Sequence, residues 1–185
     1  CFEMTGFDLP CEINVGGKDY AINADFRDIL EVIGYLNQNT WDSIYVALAL
    51  FYNGYETIQD QEYAEAVNKM FLFINCGEEE NERPAAKLID WEQDKLSIIS
   101  DINKVAGCEV RALPFCHWWT FISWFNGIGE GQLSTIATIR DKIVRGKSLS
   151  KWEREYYSRN RRKIDFERKY TEEENAELNR WLGGG

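Results

Sequence analysis

The sequence predicts a mainly α-helical, compact multi-helix domain with a small N-terminal β-hairpin. Three observations carry this. Apolar residues recur at three- and four-residue spacing along most of the chain, and only one short stretch alternates with period two. The 185 residues, 44% hydrophobic and 28% charged, have the balance of a globular protein. A chain of this length buries roughly 70% of its unfolded surface, so it needs neither disulfide nor metal staples. One domain is expected over 4–170, counted from Met4 as the native start, followed by a C-terminal amphipathic helix and glycine tail over 171–185.

The hairpin is read from Cys11-Glu-Ile-Asn-Val15 and Asp19-Tyr-Ala-Ile-Asn23, which alternate apolar and polar residues on either side of Gly16-Gly17. Asp25 can cap a first helix over about 26–37, where Phe26, Ile29, Leu30, Ile33 and Leu36 keep helical spacing. Thr40 or Asp42 can cap a second over 43–52, apolar enough around its circumference to be central in the core. Asp60 opens a third, carried to Asn75, and Cys76-Gly77 ends it. The acidic run Glu78 to Arg83, broken by Pro84, connects to a fourth helix starting at Asp90.

Pro114 suits the first turn of a fifth helix, Phe115 to Phe125, in which Trp118, Phe121, Ile122 and Phe125 form a stripe flanked by Trp119 and Trp124. A sixth follows through Leu133, Ile136, Ile139 and Ile143. Ser150 can cap a seventh, anchored by Trp152, Tyr156 and Tyr157. Thr171 and Glu174 have capping-box spacing, which predicts a last helix over 172–182 with Leu178, Trp181 and Leu182 on its apolar side.

Net charge is −10, which excludes a generally basic nucleic-acid binder. The charge is uneven, however. Lys147 to Lys169 holds nine Lys or Arg against four Asp or Glu, so an acidic body bears a basic stretch that includes Arg154, Arg161 and Arg162. Five cysteines, without any Cys-x-x-Cys pair, read as reduced thiols of a cytosolic protein. No window approaches the roughly 18 apolar residues of a membrane span, and no signal peptide is read at the start.

No catalytic, metal or cofactor site is expected. The single histidine, His117, adjoins Cys116, but neighbouring helical residues point about 100° apart, so the two do not form a nucleophile–base pair. Cys108, Cys116 and His117 lack a fourth zinc ligand and a recognised spacing. Asp90, Glu92 and Asp94 read as a helix N-terminus, where acidic side chains complement the dipole. Glycine-rich phosphate loops and serine elbows are missing from the sequence.

Asp25-Phe26-Arg27 after the hairpin, Asp90-Trp91-Glu92-Gln93-Asp94, His117-Trp118-Trp119-Thr120-Phe121 and Ile139-Arg140 stand in an order that resembles the phage "gp-fifteen" family. The family comprises tail-module proteins of long-tailed phages and prophages of Gram-positive bacteria, and the resemblance spans about 10–165. Ala24 stands where the family often has Thr, and Ala106-Gly107-Cys108-Glu109-Val110 replaces a Tyr-Gly-Ile-Asp-Leu-like stretch, with the hydrophobic pattern intact.

The resemblance implies a non-enzymatic tail-assembly role in the cytoplasm of the infected host, as a chaperone of the tape-measure protein before the tail tube polymerises. A structural virion component of tail or neck is the alternative. A nucleic-acid-binding or host-takeover factor using 147–169 is a further one. Other tail-assembly proteins and further copies of the chain are expected partners; membranes and nucleic acid are not. Trp118, Trp119 and Trp124 fit either the core or a client contact. Arg154, Arg161 and Arg162 suit pairing with the acidic body of a neighbouring copy, and Leu178, Trp181 and Leu182 suit an interaction element.

Overall fold

The computed structural model describes residues 8–78 and 86–167, so the predicted helix at 172–182 lies outside the described residues. The chain divides into two compact units, Cys1–Ala85 with Leu96–Gly131 and Ala86–Lys95 with Gln132–Gly185. Among the described residues there are seven α-helices and one two-stranded hairpin, the mainly helical architecture expected.

In the first unit, β1 (Glu12–Val15) and β2 (Lys18–Ala21) pair antiparallel, with Ile13 opposite Tyr20 and Val15 opposite Lys18. Gly16 and Gly17 turn the chain at φ +59° and +85°, which residues with a Cβ resist. A Cβ on Gly16 would also sit 1.8 Å from Glu62 Oε1. Period two then directs Ile13, Val15 and Tyr20 into the core.

Asp25 caps α1 (Phe26–Leu36), which buries Phe26, Ile29 and Val32. Thr40 caps α2 (Trp41–Phe51) through a reciprocal box with Ser43. α2 is not central in the core as the sequence suggested. Ser43, Ala47, Leu48 and Phe51 face inward, while Trp41, Tyr45 and Val46 are exposed. The predicted helix start at Asp60 is instead a single 3₁₀ turn, Asp60–Glu62, closed by the Glu62 N–H on the Gln59 carbonyl at 2.8 Å. α3 (Tyr63–Ile74) follows, and Gly77 at φ +85° ends it by donating to the Leu72 carbonyl at 2.8 Å.

α4 (Lys95–Ala106), which apart from Lys95 belongs to the first unit, starts five residues later than the sequence suggested. Asp90 accepts from the backbone N–H of Glu92 and Gln93, and Asp94 accepts from the N–H of Asp90, so these carboxylates hold 90–94 in a turn ahead of the helix. α5 (Trp118–Asn126) likewise starts after the predicted Phe115. Cys116 and His117 stay extended because they pair with the strand-like entry to α1: Phe26 N–H donates to the Cys116 carbonyl and Trp118 N–H to the Ala24 carbonyl. Pro114 therefore precedes the helix instead of lying in its first turn.

In the second unit, α6 (Gln132–Val144) and α7 (Lys151–Ile164) bury Ile136, Ile139 and Ile164 beneath Leu149, Tyr156 and Tyr157. Ser150 and Glu153 form the capping box of α7. Trp152, expected as an anchor, is 57% exposed. Glu153 is buried in its stead and accepts from Lys142 Nζ at 2.6 Å. Asn160 interrupts α7 at φ −120°, ψ 22°, ahead of its last basic residues.

Candidate interaction surfaces

The residues with the best claim to chemistry are committed to structure. Asp25 accepts from the N–H of Arg27 at 3.0 Å and of Cys116 at 2.9 Å and pairs with the Arg27 guanidinium at 3.1 Å. Arg27 in turn donates to the Leu113 carbonyl. His117 Nδ1 accepts from Trp119 N–H at 3.1 Å, so its Nε2–H donates to the Pro10 carbonyl at 3.0 Å and neither nitrogen is left for a substrate. Burial lowers the His117 pKa, with the Pro10 bond acting the other way, and keeps the ring neutral. Burial also raises the Cys116 thiol pKa, which suppresses its thiolate. Cys11, Cys76, Cys108 and Cys116 are free thiols, and among the described residues no group of three or more His, Cys, Asp or Glu gathers as for a metal.

Two of the three aromatic-helix candidates lie inside the first unit. Trp118 is 2% exposed and donates its indole N–H to the Ile74 carbonyl at 2.8 Å. Trp119 is buried and donates to the Phe73 carbonyl at 2.8 Å. Consecutive indoles thus meet carbonyls at the end of α3, where a helix has acceptors to spare. Trp124 is half-buried. Arg154, Arg161 and Arg162 are exposed on α7: Arg154 donates to the Leu149 carbonyl at 3.1 Å and Arg161 pairs with Asp165 at 2.9 Å. Leu178, Trp181 and Leu182 lie outside the described residues.

The largest aromatic exposure among the described residues is in the first turn of α2, ahead of the 43–52 stretch that the sequence reading placed in the core. Trp41 is 78% exposed, and Tyr45, one turn on, meets Tyr63 of α3 edge-on with centroids 5.6 Å apart. Tyr63, Val67 and Phe71 continue along α3 at four-residue spacing, with Phe71 exposed. Two helix stripes therefore join at the Tyr45–Tyr63 contact. Burial and then the Asp60 carboxylate raise the Tyr63 hydroxyl pKa, so a negative charge sits close to the stripe. Asp42, Glu56 and Asp60 are all exposed. Ser43, Ala47 and Phe51 recur at four-residue spacing on the inward face of α2, which leaves Trp41 and Tyr45 on the outer side.

Charge divides between the units. The described part of the first holds fifteen Asp or Glu against five Lys or Arg, and that of the second eight against twelve. No described helix is long and apolar enough to cross a membrane.

A model of the family described as Bacteriophage Gp15 protein matches residues 7–166. The chain belongs to the Gp15 family. It is thus a bacteriophage protein of structural or assembly type. No curated protein and no solved structure matches it. The four motifs that carried the Gp15 likeness meet in two pairs. In the first unit Asp25 and Phe26 meet the Cys116–Phe121 segment, with the Phe26 and Phe121 rings stacked at 4.4 Å. In the second, Arg140 meets Asp94 at 2.5 Å.

Proposed function

We propose that this Gp15 protein is a non-enzymatic tail-assembly chaperone that covers the tape-measure protein in the host cytoplasm before the tail tube forms. The observation that supports it best is the exposed aromatic stripe of α2 and α3, headed by Trp41 and Tyr45, on a strongly acidic unit. A tape-measure chain is long, helical and partly apolar, and before assembly it needs reversible cover against aggregation. Rigid aromatic side chains supply contact area at small entropic cost, and an amphipathic helix lies along such a stripe by its apolar face. Acidic residues beside the stripe favour a client helix with basic flanks and repel acidic ones. Copies of the chain arrayed along the client would cover its length.

Mass spectrometry of purified particles tests the reading against a virion component of tail or neck. A chaperone is absent or far below the copy number of tail proteins in finished particles. Recovery at a fixed, stoichiometric copy number would overturn the chaperone role in favour of a structural one.

A further inference from the structure

The turn between α6 and α7 is a second exposed surface, opposite in charge to the aromatic stripe. Residues 142–152 hold four cations, Lys142, Arg145, Lys147 and Lys151, and no acid. Lys142 pairs with Glu153 and Arg145 with Asp141, while among the described residues Lys147 and Lys151 have no carboxylate partner. Exposed apolar side chains stand on both sides of the turn, Ile143 and Val144 at the end of α6 and Trp152 at the start of α7. The Trp152 ring meets Tyr156 edge-on with centroids 6.1 Å apart, and Tyr156 packs on the buried Ile136, Ile139 and Ile164. A large ring supported from below, bare above and rimmed by lysines has the form of a binding anchor. All of it lies ahead of the break at Asn160.

We propose that this basic turn docks on the acidic α2–α3 stripe of a second copy of the chain, so that copies associate head to tail. The described part of the first unit carries fifteen acids against five bases and that of the second eight against twelve, so unlike units attract and like units repel. Contacts between two first units or two second units therefore oppose themselves. The complementary contact joins different surfaces of the two copies, which makes it heterologous. At about 0.1 M salt, charges more than about 10 Å apart are largely screened. The local match, rather than the net charge of −10 on each copy, then decides the contact.

In this contact Lys147 and Lys151 of one copy face the exposed Asp42 and Asp60 of the other, and the Trp152 ring lies against Trp41 and Tyr45. Asp42 stands in the first turn of α2 beside Trp41, and Asp60 is close enough to Tyr63 to act on its hydroxyl. The stripe is the surface assigned above to the client, and on that reading the chain covers its own aromatic residues until a client helix with basic flanks displaces the neighbour's turn. A heterologous contact leaves one stripe and one turn free at the ends, so association continues copy by copy unless a ring closes.

Sedimentation velocity of the purified full-length chain, at about 0.1 M salt and without any tape-measure protein, tests this. Wild type should self-associate as concentration rises, and Lys147→Glu/Lys151→Glu and Trp41→Ala/Tyr45→Ala should each associate at least about tenfold more weakly. All four positions are exposed, so both variants should keep the wild-type circular dichroism spectrum. Should the aromatic variant lose its fold, Asp42→Lys/Asp60→Lys serves in its place. Mixed together, the two weakened variants share one intact turn and one intact stripe, and they should form a pair, one copy of each, that grows no further. A monomeric wild type, a variant that self-associates like wild type, or a mixture that stays monomeric would overturn the contact. Retention of nucleic acid by a monomeric wild type would overturn it too, assigning the turn to phosphates. Client capture is read separately: failed self-association leaves the chaperone role standing, and failed capture with self-association intact removes the client but keeps the contact.

Discussion

Arg140 and Asp94 form a two-point ion pair, at 2.5 and 3.0 Å, with both side chains almost wholly buried. The rest of the guanidinium is equally committed: Nε donates to the Ile164 carbonyl at 2.7 Å, Nη1 to Leu88 at 2.9 Å and Nη2 to Lys163 at 2.8 Å. Phe166 covers it with its ring centroid 4.1 Å away. All five N–H donors are satisfied, so one side chain of α6 fastens both the 86–95 segment and the end of α7.

Removing one member of such a pair leaves the other buried and unpaired. Arg140→Met should therefore cost about 3–5 kcal/mol in urea unfolding. Asp94→Asn should cost less, because Arg140 keeps its three carbonyl acceptors. Arg140→Met with Asp94→Leu should recover part of the single-variant loss; strictly additive losses would contradict the coupling.

The tryptophans divide by role. Trp118→Ala removes a fully buried indole and its bond to Ile74 and should cost about 3–5 kcal/mol. Trp41→Ala alters an exposed side chain and should leave stability within about 0.5 kcal/mol. Thermal unfolding of the two variants gives the comparison, and equal losses would mean that Trp41 is packed.

His117 makes the first unit sensitive to mild acid. Its pKa is lowered in the fold, so its contribution is fully present above the unfolded value of about 6.5 and is lost as pH falls toward the folded value. The protonated ring cannot accept from Trp119 N–H. Wild-type stability should decline as pH falls below about 6.5. His117→Asn keeps a capping acceptor without titrating and should give a flatter profile. Parallel profiles would remove the histidine from the account.

Asp90 acts at lower pH. Burial raises its pKa, but the Lys87 ammonium and the N–H groups of Gln93 and Glu92 outweigh this and hold it at about 2. Its stabilisation is present above about pH 4 and lost as pH falls toward 2. Asp90→Asn should be less stable than wild type by about 2 kcal/mol at pH 7, and the gap should close near pH 2. A gap that persists in acid would show that the carboxylate's charge is not what the turn uses.

Much of the fold is legible in local sequence. Gly16-Gly17 marks the hairpin turn and Asp25 and Ser150 mark helix starts, because a turn or a cap is decided by a few adjacent residues. The late starts of α4 and α5 are not, since they depend on partners far along the chain: Cys116 stays extended because Asp25 and Phe26 hold it. Surface and core are the least legible. Trp118 and Trp41 are the same residue type, and only the packing of α3 against one of them separates their roles. The order of the four motifs pointed to the family, yet what those residues do is hold each unit together internally, Asp25 and Phe26 to the Cys116–Phe121 segment in the first and Asp94 to Arg140 in the second.

Co-expression with the tape-measure protein, followed by affinity capture and size-exclusion chromatography with light scattering, tests the chaperone role most directly. The expected result is a soluble complex with several copies of this chain per client, lost or weakened at least tenfold in Trp41→Ala/Tyr45→Ala while that variant remains folded. A tape-measure protein that stays insoluble while this chain elutes alone would contradict the role, and undiminished capture by the double variant would remove the α2–α3 stripe as its surface.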